Sequence, residues 1–166
     1  MHLALVSVAA SMLFPLAPGT QWTFRQVDSG AASSMAVRAG RVLHGFPGAG
    51  DLRIRRVGKT VQAWDRGNGR WEDWFRFGAP AKTAYTVALS GTPLWRRVEV
   101  RLVSKTATAR DHAGKGYRGC TRFAFEAVGV ADAGLLGMTF CPRVGPVRYS
   151  ETSIAGPRTF ALASFH

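Results

Sequence analysis

Few residues in this 166-residue sequence are of types that do covalent or acid–base chemistry, and their spacing works against it. No histidine adjoins either of the two cysteines, Cys120 and Cys141, so neither reads as an activated nucleophile. Two cysteines and four scattered histidines match no zinc-ligand spacing. Asp111-His112 could be half of a carboxylate–imidazole pair, but no serine lies in a Gly-x-Ser-x-Gly turn to complete a triad. Asp65, Glu72 and Asp73 flank a turn and could bring carboxylates together as in a glycosidase. Arg66, Arg70 and Arg76 are interspersed, which favours surface ion pairs. Gly58-Lys59-Thr60 ends like a phosphate-binding loop, yet the earlier glycine that loop requires is replaced by Arg53. The glycine-rich run from Gly45 to Asp51 leads into a strand and reads as a plain loop. Trp64, Trp71 and Trp74 with Arg55 and Arg76 could stack single-stranded nucleic acid, though a small β core needs the same aromatics. The expectation is a protein with no catalytic, cofactor or metal site, for which nucleic acid is a poor partner.

The cysteines instead organise a hairpin. Placing Cys120 opposite Cys141 on antiparallel strands sets Phe123 against Met138, Phe125 against Leu136 and Thr121 against Phe140. The apolar side chains then share one face and the cysteines share the other, so a slip of one residue would break both faces at once. A loop from Val128 to Ala133 joins the strands. A disulfide here would stabilise the fold by roughly 3 kcal/mol; the alternative is two free, buried thiols.

Around this hairpin the chain reads as strands separated by turns. Trp22 and Phe24 alternate with Thr23 and Arg25, and Ser29 to Ser34 is a polar turn. Met35 to Phe46 is expected as one strand weakened by Gly40 and Gly45. Leu52 and Ile54 alternate with arginines, Gly58-Lys59 turns the chain into Val61 to Asp65, and Gly67-Asn68-Gly69 is a strong turn signal. Trp71, Phe75 and Phe77 share one parity of the next strand. Tyr85, Val87 and Leu89 mark another, and Val98, Val100 and Leu102 alternate with Arg97, Glu99 and Arg101. Val147, Tyr149 and Glu151 follow a bend at Pro142 to Pro146, and the last strand carries Phe160, Leu162 and Phe165. The fold class this predicts is all-β: a strongly curved antiparallel meander, a half-open or closed barrel of about nine strands.

Composition adds compartment and charge. Only 19% of residues are charged and 46% are hydrophobic, which excludes a disordered chain. The net charge is +12, and of the 22 basic residues all but Lys59, Lys82, Lys105 and Lys115 are arginine. Such a balance suits anionic partners, although the charges are dispersed along the chain. Residues 1–10 are expected to be a short signal peptide ending near Ala10, with residues 11–166 as a single β domain. Pro15 and Pro18 interrupt the apolar run, which argues against a transmembrane span.

The opening Phe14-Pro15-Leu16, Gly19 and Trp22-Thr23-Phe24, with the closing Pro142 to Val147 and Gly156-Pro157-Arg158-Thr159-Phe160, resembles exported bacterial β-sheet domains of unknown function. Some of these look distantly like half-barrel carriers of lipoprotein acyl chains. That resemblance implies a concave apolar face able to hold a lipid tail and brings no catalytic residue; the paired cysteines depart from its pattern. The expected protein is therefore a non-enzymatic periplasmic or secreted domain that binds a lipid, another amphiphile or an envelope protein. Trp22, Phe24, Phe75, Phe123 and Phe125 would form the ligand face, with arginines at the rim. The alternative is a protein- or glycan-interaction module with a filled core and no ligand cavity.

Overall fold

A computed structural model describes residues 12–129 and 133–166. The expected signal peptide, residues 1–10, and the middle of the loop from Val128 to Ala133 lie outside the described residues.

Alternating apolar and polar residues, cut by glycine turns, give twelve antiparallel strands. They are β1 (Gln21–Gln26), β2 (Ala32–Arg38), β3 (Val42–Phe46), β4 (Gly50–Val57), β5 (Thr60–Asp65) and β6 (Arg70–Arg76). The second half comprises β7 (Ala84–Val87), β8 (Val98–Arg110), β9 (Gly116–Ala127), β10 (Gly134–Cys141), β11 (Gly145–Thr152) and β12 (Arg158–Phe165). One sheet holds them all in the order β6-β5-β4-β3-β2-β1-β12-β11-β10-β9-β8-β7. Each half is thus an up-and-down meander, and the first and last strands join the halves at the centre. The sheet curls into a nearly closed barrel whose two edge strands, β6 and β7, meet through side chains instead of a backbone ladder. The Tyr85 hydroxyl on β7 donates to the Trp74 carbonyl at 2.9 Å and accepts from the Arg76 amide at 3.0 Å.

The barrel class is as expected, but there are twelve strands where about nine were expected. One of the additional strands arises between Met35 and Phe46, where Gly40 and Arg41, both at positive φ, turn the chain and split one expected strand into β2 and β3. The expected turn at Ser29 to Ser34 ends early, since Ala32 already pairs with Arg25. Gly45 does not weaken β3. It sits at φ +77°, where a side chain would run into the Ser34 carbonyl, so the position demands glycine. On β6 a bulge opposite Val61/Gln62 breaks the expected parity: Trp71 faces outward beside Trp64, whereas Trp74 and Phe75 are both fully buried.

The cysteine hairpin forms in the expected register. Phe123 faces Met138 and Thr121 faces Phe140, and Cys120 is bonded to Cys141. One pair departs from it. A bulge between Leu135 and Gly137 lets Leu135 turn inward and leaves Leu136 40% exposed, so Leu136 does not cover Phe125. Both cysteines are completely buried, although they share parity with exposed Arg122. The distal half of the β8–β9 hairpin, in which Cys120 pairs with Ala107, does not continue straight. Its ladder is interrupted three times between Leu102 and Ala109. The arm folds back over the sheet until the His112 amide donates to the Leu162 carbonyl on β12 at 2.8 Å.

Candidate functional site

The five residues expected to form a ligand face are placed together, but not on a face. Trp22, Phe24, Phe75 and Phe123 are completely buried and Phe125 is 6% exposed. Phase along each strand brought them inward; what closes over them comes from across the barrel. Phe75 on β6 meets the rings of Phe14, Phe46, Trp74, Phe77, Trp95, Phe123, Phe125 and Phe140 at 4.7–6.4 Å. Phe24 stands edge-on to Tyr149, which stacks on Phe160. Among the described residues, these aromatic side chains pack against one another on the concave side. All five side chains belong to the one hydrophobic core cluster.

The candidate chemical pairs are spent on structure. Asp65 is 1% exposed and accepts from the Gly67 amide, the Asn68 side chain, and the Ser90 amide and hydroxyl, at 2.7–3.0 Å. It thereby clips the β5–β6 turn to the segment after β7. Burial alone would raise its carboxyl pKa, but these hydrogen bonds, from Ser90 foremost, hold it below the ordinary 3.8. Glu72 pairs with Arg70 and Asp73 with Arg76, so the three acids do not converge. Asp111 caps its own turn, accepting from the Lys115 amide and the Tyr117 hydroxyl, while exposed His112 uses its backbone amide on Leu162. Sequence reasoning missed a different pair, His44 with Asp51, joined across β3 and β4. That hydrogen bond lowers the Asp51 carboxyl, and both side chains are nearly half exposed. The Trp64–Trp71 pair is partly capped by its own arginines, Arg53 and Arg55, whose guanidiniums lie 4.4–5.8 Å from the ring centres. Trp74 is in the core instead.

The folded-back arm borders an open groove. β8 is separated from β11 in the sheet by two strands, yet the two line a common groove of about 580 Å³. Val103, Ser104, Ala107 and Ala109 form one wall; Leu136, Thr139, Arg148 and Ser150, with Arg122, form the other. A second section, also about 580 Å³, continues along Thr108, Ala109 and Arg148 to Arg110, Tyr117 and Arg118. Four arginines therefore border one continuous depression, and neither section is lined by a carboxylate. A smaller depression of about 420 Å³, between Leu13, Phe77 and Lys105, adjoins Met12, where the described residues begin.

No family model matches the chain, and no curated protein matches it in sequence. Two solved structures are similar in fold. One is a candidate lipoprotein from Parabacteroides distasonis ATCC 8503, 12% identical, with a TM-score of 0.46 over 95% of this chain and 99% of that one. The other is a candidate exported protein with a YmcC-like fold from Bacteroides fragilis NCTC 9343, 11% identical, with a TM-score of 0.48 over 94% of this chain and 99% of that one. At such similarity neither carries an argument about function.

Proposed function

We propose that this protein is an exported, non-enzymatic binding domain that meets its partner on the outside of a filled barrel, at the groove beneath the β8–β9 arm. The observation that carries the reading is the ring-to-ring closure around Phe75, which fills the site where a half-barrel carrier would hold its ligand. Export is supported by the buried Cys120–Cys141 bond, since disulfides of this structural kind persist in oxidising compartments. The non-enzymatic reading is supported by the acids named above and His44, which are engaged in turn-capping or ion pairing, and by the exposed His112, whose ring has no side-chain partner among the described residues. Of the two sequence expectations, the interaction module with a filled core fits this architecture better than the carrier of a lipid tail. Titration with Nile red, a neutral apolar dye, tests it. The native protein should take up no stoichiometric dye; saturable one-to-one uptake would show an open interior and overturn the reading.

A further inference from the structure

Resting on the reading that the partner is met outside the barrel, we propose that the groove beneath the arm is a site for a phosphate-bearing amphiphile. Its phosphate would lie among Arg110, Arg118, Arg122 and Arg148, and its apolar portion along Val103 and Leu136.

Three observations converge on this occupant. The first is charge. Four arginines elsewhere pair with acids, Arg70–Glu72, Arg76–Asp73, Arg101–Glu99 and Arg158–Glu151, while others such as Arg41 and Arg143 do not among the described residues. What marks the groove is that four arginines gather along one depression whose lining holds no carboxylate. Among the described residues, none of the four groove arginines has a carboxylate partner. A phosphomonoester carries about −1.5 to −2 charges near neutral pH, more than one carboxylate, and the guanidinium fork matches its oxygens. Thr108 and Thr139 add hydroxyl donors along the floor. The second is the apolar strip. Val103 and Leu136 are among seven large exposed hydrophobic residues in the described structure, and both border this one groove.

The third observation is how those two residues come to be there. Each sits at a β-bulge, between Leu102 and Ser104 on β8 and between Leu135 and Gly137 on β10. A bulge re-aims a side chain at the expense of ladder pairing. Two independent bulges turning a Val and a Leu outward, towards the same arginines, make a surface that is apolar on one side and cationic on the other. Nucleic acid fits it less well. Two tyrosines border the groove, but the Tyr149 ring is buried between Phe24 and Phe160 and Tyr117 is half-buried beneath the Lys115 ammonium, so neither offers a free stacking platform.

The test is calorimetric titration of the full, disulfide-bonded chain with dihexanoyl phosphatidic acid below its micelle-forming concentration. Dihexanoyl phosphatidylcholine, inorganic phosphate and a single-stranded oligonucleotide serve as comparisons. Flotation with phosphatidylcholine vesicles, with and without phosphatidic acid, separates a bilayer surface from a dispersed amphiphile as the source of the phosphate. Phosphatidic acid should bind one-to-one, about tenfold or more tighter than either phosphatidylcholine or inorganic phosphate. Arg122→Gln combined with Arg148→Gln should lower that affinity by about tenfold or more, whereas Arg38→Gln, which removes the same kind of charge outside the groove, should not. Val103→Ser with Leu136→Ser should abolish the advantage over inorganic phosphate. All these side chains lie outside the core, and unchanged melting temperatures would confirm intact folding. Equal affinity for the two lipids, indifference to the arginine substitutions, or tighter binding of the oligonucleotide would overturn the proposal. Absence of phosphatidic acid binding with no Nile red uptake would sink the ligand class alone. Stoichiometric Nile red uptake would sink the reading beneath it.

Discussion

Tyr85 and Asp65 hold the seam where the sheet fails to close by backbone pairing. The Tyr85 hydroxyl serves two backbone groups of β6 at once, so Tyr85→Phe should cost about 1–3 kcal/mol, read as a lower urea midpoint. Burial pushes the Tyr85 phenol up to about 12, and burial does the same to Tyr149, which is 3% exposed and donates to Ser33 at 2.9 Å. A pKa raised on folding means the neutral phenol is favoured in the native state. The stabilisation is complete below the ordinary 10.0 and disappears as pH rises towards 12, so the urea midpoint should fall across that range and Tyr85→Phe should flatten the fall. Asp65 acts in the opposite direction. Its folded pKa is depressed, so its contribution is present above 3.8 and is lost as pH falls through the lower folded value. Asp65→Ala should weaken this acid-side dependence and leave the Ser90 and Gly67 amides without their acceptor, which unfolding curves at pH 3 and pH 7 would show. None of this was legible in the sequence, where Asp65 reads only as one of three acids beside a turn. Its partner Ser90 arrives through the closure of the barrel.

At the scale of elements, the cysteine hairpin was legible because two patterns had to agree. Aromatic parity and cysteine parity admit a single register, and β9 and β10 adopt it. Removing the bridge by Cys120→Ser with Cys141→Ser should cost roughly 3 kcal/mol. Intact mass after alkylation should show no reactive thiol until reductant is added. The bulges were not legible. Leu136 follows Phe125's partner position in the sequence pattern, but β10 must also pair with β11, and that second ladder imposes the shift between Leu135 and Gly137. Trp74 tells the same story on β6: alternation alone assigns it outward, and only the pairing with β5 makes it core. The arm formed by β8 and β9 is the largest such case, since the strand alternation from Val98 to Leu102 gives no sign that the hairpin bends beyond it.

The whole molecule is a barrel packed shut by aromatic rings. Phe75→Ala should cost about 3–5 kcal/mol and open a cavity that the native protein lacks. The variant, unlike the native chain, should then bind Nile red. Alternation along a strand says which of its residues share a side, but not whether anything covers that side. Cover is supplied by residues distant in sequence, such as Phe14 and Trp95. The groove was invisible for the same reason, because its walls come from strands that are not neighbours in the sheet. The most direct test of this division between a filled inside and a binding outside is amide chemical-shift mapping of the nitrogen-labelled protein with dihexanoyl phosphatidic acid. Shifts are predicted along Val103 to Ala109, at Arg122, from Leu136 to Thr139 and from Arg148 to Ser150, with Trp22, Phe24, Phe75 and Phe125 unmoved. Largest shifts at those four core residues, with the groove silent, would contradict the account.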